Sequence, residues 1–559
     1  MKRVGVVATV AAGALLLPAA ASAHAYLTHT APAASVVLNS APGTVSLTFD
    51  EAVEPRFAII SVADAAAHQE ATASPQRSAS DPNTLFVPIK HVPEGWYLVY
   101  WRAISVDGHP VQGAFTFAVG PNAGPPPDFS HSAPHISQTA TTTPLLIARW
   151  LMFLTTMTAI GLFVLRIAIA RPVVTRAVSI AFGVASVASL IAFPAYLEEL
   201  TSIDSLRGFW DVGALVPLWR TTAFGRGYVD MWTCFALFVA AAAIAIRIDR
   251  PERKTRPVAP LLALIGASLA AAATLALPGV SGHAGQTSPR GWSVLLDWLH
   301  LVSGSIWIGG LVGLLVLWRS LGAERRVVAL AVAVPRFSTV ALVSVLLLLA
   351  TGVGASVIHL PTVDALWLTS YGKTILVKAG ILLAAVAVAS VNLFRVKPAL
   401  GKGTARLLRS TVSTEVVLVA GAIAAAAVLS SLAPPPPAFA EEGKALVRVG
   451  PGQVAATASQ AGYKLQVLVA PNKAVASNSF VLRLTRNGKP VTGASVSLTF
   501  AMLDMQMPNQ EYQLAETAPG VYTRKAPALV MVGHWGLSFA VTPKGGTPFT
   551  ALVVDRAAG

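Results

Sequence analysis

The sequence has little charge and almost no cysteine. Only 12% of its 559 residues are Asp, Glu, Lys or Arg, about half the fraction that is usual in soluble proteins. Long apolar runs take the place of charge, which indicates several membrane spans. The one cysteine, Cys234, lies in an apolar run, so the chain can form neither an internal disulfide nor a thiolate metal site. Metal chemistry would have to use histidine, methionine, carboxylates or the amino terminus.

The placement of the basic residues argues against a nucleic-acid partner. The formal net charge is +15, but most Lys and Arg residues lie in short loops between apolar runs, which is a membrane-topology signal. The chain also lacks a phosphate-binding P-loop and the phosphorylated-aspartate motif DKTG, so ATP is not the predicted energy source. We therefore expect a multi-pass protein that contacts the lipid bilayer and no nucleic acid.

The first 23 residues have the pattern of a secretory signal peptide. Lys2 and Arg3 precede an apolar run, and Ala21-Ser22-Ala23 fits the small-x-small cleavage pattern. Cleavage after Ala23 would make His24 the first residue of the mature chain. The alternative is an uncleaved anchor, which is disfavoured because the apolar run is short for a span.

Three folded regions follow, so the predicted fold class is a multidomain membrane protein. Alternation of apolar and polar residues predicts an all-β sandwich or barrel over 24–119, and the same pattern returns as a β-sandwich over 456–559. Apolar runs predict an eight-helix transmembrane bundle over 144–433. Linkers at 120–143 and 434–455, the second rich in proline, join the regions. The predicted spans are 145–165, 175–196, 227–246, 258–279, 293–318, 336–358, 373–394 and 411–432.

The loops between the spans predict the orientation. Arg and Lys cluster after the first, third, fifth and seventh spans, whereas the other loops carry acids and few bases. By the positive-inside rule the basic loops are cytoplasmic. Both β domains are then expected on the external or periplasmic side of the plasma (inner) membrane.

A free His24 offers two nitrogen ligands from one residue. Its α-amino nitrogen and ring Nδ1 can chelate one metal ion, and the amine loses its proton easily because an α-amine titrates near pH 8. Asp107 and His109, separated by Gly108, can point to the same side of a tight bend. Nitrogen and carboxylate ligands of this kind suit the tetragonal preference of Cu(II).

The same residues carry a resemblance to the copper-binding protein family CopC. It rests on His24-Ala25-Tyr26-Leu27, on Phe49-Asp50-Glu51-Ala52-Val53-Glu54 and on Gly95 to Val111, which contains Asp107-Gly108-His109-Pro110. The resemblance implies that His24, Asp107 and His109 bind Cu(II) and that Glu51 lies near the metal. Many CopC proteins also hold Cu(I) at methionines, but no methionine occurs between His24 and Gly120.

The eight spans resemble the CopD family, the membrane partner of CopC, through stretches such as Ser281-Gly282-His283-Ala284 and Asp297-Trp298-Leu299-His300-Leu301. Asp297 and His300 would lie ~6 Å and ~10 Å below the outer surface. Three residues apart, they would share a helix face. Ionisable groups at such depth indicate function, so the sequence predicts an outward-facing copper site. Its best candidates are His283 and His300, with Asp297, His359, Met152 and Met231 as additions.

Two further predictions concern polar residues in the spans. Arg149 and Lys378 lie at the same outer depth, and outward snorkelling is the alternative to a functional role for both. Asn392 and Glu415, near the cytoplasmic ends of their spans, are positioned to hydrogen-bond to each other.

The segment from Tyr463 to Asp555 resembles the YtkA-like domains found beside copper proteins. Met505 and Met507 lie two apart on a predicted strand and hence on one face. Met531 and His534 lie on a later strand, and thioether with imidazole suits Cu(I). The alternative is that these methionines fill the core of the sandwich.

These features predict a non-enzymatic protein of copper acquisition or trafficking, acting in uptake or resistance. Copper passes from a Cu(II) site to Cu(I) sites in this reading, so an external copper chaperone or reductase is an expected partner. Two alternatives stay open. The His24 chelate resembles the copper site of lytic mono-oxygenases, although Asp107 would occupy a position that oxygen chemistry needs open. His283 and His300 could instead be axial ligands of a membrane haem protein.

Overall fold

The computed structural model describes most of the chain, in two compact units. One unit contains the membrane helices, over 142–359 and 374–430, and the other contains both β domains with the connection 360–373. The described residues are 25, 27–34, 36–105, 110–124, 127, 129, 141–201, 219–220, 223–252, 255–396, 398, 405–432, 434–435, 445–474, 476–503 and 509–558.

The N-terminal domain has two four-stranded sheets, as predicted for an all-β domain. One sheet has the order β1-β3-β6-β5 and the other the order β2-β8-β7-β4. Strand β3 alternates buried and less buried residues, which places one face of its sheet on the core. The strands are β1 Leu27–Ala31, β2 Val37–Leu38, β3 Thr44–Phe49, β4 Ile59–Ala63, β5 Gln76–Arg77, β6 Thr84–Pro88, β7 Gly95–Ile104 and β8 Pro110–Val119.

Aromatic packing joins the two sheets of this domain. The rings of Phe49 and Trp101 meet edge to face, with centroids 5.4 Å apart. A side chain at Gly113 would place its Cβ 2.7 Å from the Trp101 ring, so glycine is required opposite that indole. Strands β7 and β8 form the long hairpin of the second sheet, with Ile104 paired to Pro110 at its end.

Within the described residues, eight helices are long and apolar enough to cross a membrane, which confirms the predicted bundle. The sixth begins thirteen residues before the predicted start at 336, because the helix continues past Pro335 into the preceding basic segment. The helices are α1 Thr143–Val164, α2 Arg176–Thr201, α3 Ala223–Ile248, α4 Val258–Ser281, α5 Arg290–Ser320, α6 Ala323–His359, α7 Ser370–Val391 and α8 Ala405–Leu429; π-helical turns extend α1 through Leu165–Ile169 and α7 through Asn392–Val396.

Helix α5 is at the centre of the bundle, packed against α1, α2, α4, α6 and α8. Its closest approach is to α1, where a Cβ on Gly161 would lie 1.9 Å from the carbonyl oxygen of Ser305. A Cβ on Gly309 would lie 2.4 Å from the Cα of Gly161. Small residues let helix backbones approach in this way, so α1 and α5 form a tightly held pair.

The C-terminal domain is one ten-stranded sheet rather than two separate layers. Its path is β10-β11-β12-β16-β15-β14-β17-β18-β9, with β13 paired to β12. Strand β10, at one end of the path, contacts β9 and β18 at the other, which makes the predicted sandwich barrel-like. The strands are β9 Val447–Val449, β10 Val454–Gln460, β11 Tyr463–Ala470, β12 Asn478–Arg486, β13 Lys489–Pro490, β14 Ser495–Met502, β15 Gln510–Ala518, β16 Val521–Ala526, β17 Gly533–Thr542 and β18 Phe549–Ala557.

Candidate functional site

Residues close in sequence to the predicted Cu(II) ligands come together near the end of β3. Leu27, at the start of β1, pairs with Phe49 at the end of β3, and Phe49 packs on Trp101 near the hairpin end of β7. Glu51 is partly buried just beyond β3. His24, Asp107 and His109 themselves lie outside the described residues.

His300 lies among three helices of the bundle. Its ring Nδ1 is 2.9 Å from the hydroxyl oxygen of Thr351 on α6, and its Nε2 is 3.4 Å from the ammonium nitrogen of Lys378 on α7. A Cβ on Gly352 would lie 3.7 Å from its Cε1. The imidazole therefore has a polar partner on each nitrogen inside an apolar bundle.

The partners of Thr351 fix the tautomer of His300. The Thr351 hydroxyl donates its single proton to the carbonyl of Leu347 at 2.6 Å. It must therefore accept at His300, so Nδ1 carries the imidazole proton and Nε2 has the lone pair. The nitrogen able to bind a metal is thus the one that faces Lys378.

Asp297 and His300 do not face the same neighbours, although they are three residues apart on α5. A Cβ on Gly279 of α4 would lie 2.8 Å from the Asp297 carboxylate, whereas His300 faces α6 and α7. The charge of Lys378 acts on both residues. The predicted pair is consequently a wider set, in which Lys378 contacts the imidazole of His300 and its charge also acts on the carboxylate of Asp297.

The other predicted membrane ligands are spread more widely. His359 donates from Nδ1 to the carbonyl of Ala355 at 2.8 Å within α6, and it lies eight residues, ~12 Å, beyond Thr351. Met152 and Met231 are fully buried on α1 and α3. His283 begins a short helix, His283–Gln286, after α4. Over the described part of the chain, no group of three or more His, Cys, Asp or Glu residues is arranged to hold a metal ion.

Two charged side chains in the spans, Arg149 and Lys378, do not extend outward as the snorkelling alternative expects. Arg149 is 2% exposed, so the snorkelling alternative is wrong for it. Its guanidinium donates to the hydroxyls of Ser430 and Tyr196, both at 3.0 Å, and it also lies over the Tyr196 ring. Lys378 turns toward His300 instead of following its own helix outward. Sequence spacing had no signal for these contacts, because the partners lie 47 to 281 residues away.

The predicted contact between Asn392 and Glu415 is confirmed. The Asn392 amide donates to the Glu415 carboxylate, and the Thr411 hydroxyl donates to the Asn392 carbonyl oxygen. Glu415 is 3% exposed and also accepts from the Trp307 side chain. Trp307, seven residues after His300 on α5, therefore contacts a second group of polar side chains in the bundle.

In the C-terminal domain, the backbone of His534 contacts Leu503, two residues before Met505. The amide of Leu503 donates to the carbonyl of His534 at 2.8 Å. Met531 is fully buried, and its carbonyl accepts from the Trp535 indole at 3.0 Å. Met505 and Met507 lie outside the described residues. Leu503 is the last described residue before Met505 and Met507, and its hydrogen bond connects this part of the chain to His534 on β17.

A buried carboxylate lies on the neighbouring strand, where it pairs with Trp535 rather than with His534. Asp555 on β18 is fully buried and accepts from the Asn472 amide at 2.9 Å. Burial raises the pKa of Asp555 to about 6, against the opposing effects of the Asn472 hydrogen bond, the Arg556 backbone amide and the charge of His534. His534 and Asp555 are therefore electrostatically coupled.

The connection between α6 and α7 packs against this part of the C-terminal domain. Ala365 forms a small buried cluster with Leu503 and Val554, and Asp364 lies 3.9 Å from Arg448 in an exposed ion pair. Exposed pairs contribute little, so the apolar cluster defines the contact. The segment before Met505 is consequently held beside the connection that leads into α7.

Known proteins match the chain in three consecutive parts. The CopC domain family matches residues 27–120, the copper resistance protein D family (CopD) matches 331–429, and the YtkA-like family matches 457–540. The order is the one predicted from the sequence. The CopD match spans α6 to α8, so His300 on α5 precedes it.

Individual relatives cover either the whole chain or its first domain. Copper transport protein CutJ of Bacillus subtilis (strain 168) is 26% identical over 540 residues, 93% of each chain. Protein YobA of Escherichia coli (strain K12) is 37% identical over 98 residues, 17% of this chain and 79% of YobA. Copper resistance protein C of Pseudomonas syringae pv. tomato is 31% identical over 117 residues, 20% of this chain and 92% of that protein.

Proposed function

Because the chain belongs to the CopC–CopD family, we propose that it binds copper outside the membrane and transports it through the helical domain without catalysing a reaction. The observation that carries the transport part is the environment of His300. Its Nε2 lone pair lies inside the bundle, 3.4 Å from the Lys378 ammonium. A copper ion and an ammonium group cannot share that lone pair, so copper entry requires Lys378 to move or to lose its proton.

Capture begins at the N-terminal domain in this proposal. His24, Asp107 and His109 bind Cu(II), and Glu51 orients the site through a hydrogen bond rather than as a ligand. The convergence of Leu27 and Trp101 on Phe49 supports this ligand set, because Leu27 follows His24 by three residues and Trp101, on β7, precedes Asp107 by six. Nitrogen and oxygen ligands without a thioether favour Cu(II) over Cu(I).

The C-terminal domain holds copper as Cu(I) in the second step. Met505, Met507 and His534 are the ligands, with Met531 completing the wall behind them. Reduction of Cu(II) needs an electron from an external reductase, or Cu(I) must come from an external chaperone.

The bundle receives copper on its outer half, with both β domains on the external side. His300 is the primary membrane ligand, and Asp297 supplies negative charge nearby. The other candidates bind copper at separate points before or after His300, rather than in one coordination sphere with it. They are His283, His359, Met152 and Met231; His359, for example, is ~12 Å from Thr351 along α6. The basic loops at the opposite ends of the spans support this orientation.

Electron paramagnetic resonance of Cu(II)-loaded protein tests the capture site. We compare the full chain that begins at His24 with a chain that has one alanine ahead of His24. The extra residue removes the α-amine from the imidazole chelate, so the Cu(II) hyperfine pattern and affinity should both change. Identical spectra and affinities would mean that the amino terminus is not a ligand.

Cellular copper content tests the membrane site. His300→Ala should lower copper content if the protein imports copper and raise it if the protein exports copper. Lys378→Met removes the competing ammonium while keeping the side-chain length, so copper should bind more tightly at His300 and turnover should slow. Ser356→Ala, one turn beyond Gly352 on α6, is the matched control. Wild-type copper content in His300→Ala cells would remove that residue from the pathway.

A further inference from the structure

Asp249 follows the last residue of α3 and is 4% exposed. A carboxylate at this position is unfavourable by itself, because the C-terminal end of a helix carries partial negative charge. Burial would raise the pKa of Asp249, but hydrogen bonds from Arg171 and Arg256 outweigh burial and hold the pKa below its usual value. The carboxylate is therefore ionised at neutral pH and depends on neighbouring cations.

Three guanidinium groups converge on that one carboxylate. Arg171 places Nε 3.3 Å from both Asp249 oxygens and Nη2 3.1 Å from Oδ1. Arg256 Nε lies 3.1 Å from Oδ1, and Arg166 Nη1 lies 3.5 Å from Oδ2. We call Asp249, Arg166, Arg171 and Arg256 the Asp249–arginine cluster.

The cluster has more positive charge than its own carboxylate can balance. Three arginines and one aspartate leave a net charge of +2. The C-terminal ends of α1 and α3 each contribute roughly half a negative charge, and the carbonyl of Ile167 at the end of α1 accepts from Arg256. About one positive charge stays uncompensated in a largely buried setting.

Arg166 shows where a further anion would bind. Its side chain is 8% exposed, and among the described residues its Nε has no hydrogen-bond partner. Its only ionic contact in that part of the chain is the 3.5 Å approach to Asp249. A buried guanidinium with an unused donor is costly, and an incoming oxygen anion would satisfy both the donor and the excess charge.

We propose that the Asp249–arginine cluster is a binding site for one phosphate group, from an anionic lipid headgroup or from free phosphate. Several guanidinium forks at different angles match the several oxygens of a phosphate better than the two of a second carboxylate. The cluster lies where α1 and α3 end, at the level at which lipid headgroups contact membrane proteins. Basic pockets between helices at this level are typical headgroup sites. This inference does not depend on copper transport.

Native mass spectrometry of the full-length protein in detergent tests the proposal and separates the two sources. The probes are phosphatidylglycerol, phosphatidylcholine and inorganic phosphate, each titrated separately. We expect one phosphatidylglycerol to be retained at least about 10-fold more tightly than phosphatidylcholine, since the anionic headgroup adds charge-assisted contacts. Retention of inorganic phosphate alone, with competition against phosphatidylglycerol, would identify free phosphate as the source.

Two variants move binding in opposite directions. Arg166→Gln should weaken retention about 10-fold through loss of one charged donor, whereas Asp249→Asn should strengthen it because the competing carboxylate is gone. Arg247→Gln, an exposed arginine in the last turn of α3, removes the same charge nearby and should leave retention unchanged.

Equal retention by the wild type, Arg166→Gln and Asp249→Asn would overturn the proposal, as would equal losses in Arg166→Gln and Arg247→Gln. If Arg166→Gln does not fold, Asp249→Asn and Arg171→Lys decide the matter. Arg171→Lys keeps the charge but loses the fork, so it should still weaken retention of the phosphate group.

Discussion

The two β domains have similar lengths but opposite donor chemistry. The N-terminal domain, 24–119, contains no methionine, whereas the C-terminal domain, 456–559, contains four of the eight in the chain. The first domain packs two separate sheets face to face, and the second is one barrel-like sheet. Hard ligands in one domain and soft ligands in the other favour different oxidation states of the same metal. In the proposed pathway, copper therefore needs a reduction step between the two domains.

The largest expected effect is on the hard site. His109→Ala should lower the Cu(II) affinity of the protein by more than about 100-fold, because loss of a residue near a metal that is not itself a ligand already costs 10- to 100-fold. Isothermal titration with a Cu(II) competitor measures this affinity. His91→Ala, an exposed histidine of the same domain, is the control. Equal affinities of the two variants would contradict the assignment.

The stability of the C-terminal domain should depend on pH through Asp555, and this dependence distinguishes it from the N-terminal domain. A pKa of about 6 for Asp555 exceeds its unfolded value, so the native state binds the proton more tightly and loses stability as pH rises from about 4 to 6. The rise from 3.8 to about 6 corresponds to at most about 3 kcal/mol. Hydrogen exchange of the β18 amides in the full-length protein should show this loss, and Asp555→Asn should remove it. The same pH slope in both proteins would exclude Asp555 as the titrating group.

The soft site should lose Cu(I) when its paired thioethers are removed. The double variant Met505→Leu and Met507→Leu is expected to bind Cu(I) at least about 100-fold more weakly, because loss of a residue that only supports a ligand already costs about 10- to 100-fold; competition with a Cu(I) chelator measures this affinity. Met502→Leu changes a methionine that is 5% exposed in the core. It should cost less than about 1.5 kcal/mol of stability and leave Cu(I) affinity unchanged. If the double variant retains wild-type affinity, these methionines are packing residues.

The smallest effect concerns Glu51. Glu51→Gln keeps the size of the side chain but removes its charge, so Cu(II) affinity should fall about 10-fold while the ligand set stays the same. The Cu(II) spectrum should therefore keep its hyperfine pattern. Glu70→Gln in the same domain, which removes an ion pair with Lys90, serves as the control. A changed hyperfine pattern would make Glu51 a direct ligand.

Much of the fold could be predicted because its signals are local. Period-two alternation in segments such as Thr44–Phe49 and the length of the apolar runs depend on residues close in sequence. The Asn392–Glu415 contact could also be predicted, since both residues lie near the same ends of neighbouring spans. The start of α6 was predicted too late, because apolar length marks the membrane segment rather than the helix that extends beyond it.

Contacts within the candidate site could not be predicted in the same way. Depth along α5 placed Asp297 and His300 together, but their neighbours depend on how the helices rotate and cross. The burial of Arg149 depends on Tyr196 and Ser430, whose approach no local pattern specifies. The same holds for the convergence of Arg166, Arg171 and Arg256 on Asp249.

By itself, the sequence determined the three regions of the chain, the number of spans and the types of donor atoms in each region. Covalent order and hydrophobic periodicity are sufficient for these features. Only the tertiary structure decided that Thr351 sets the tautomer of His300 and that Lys378 faces its Nε2. These depend on which side chains meet across helices and strands far apart in sequence, and packing of the whole domain selects those meetings.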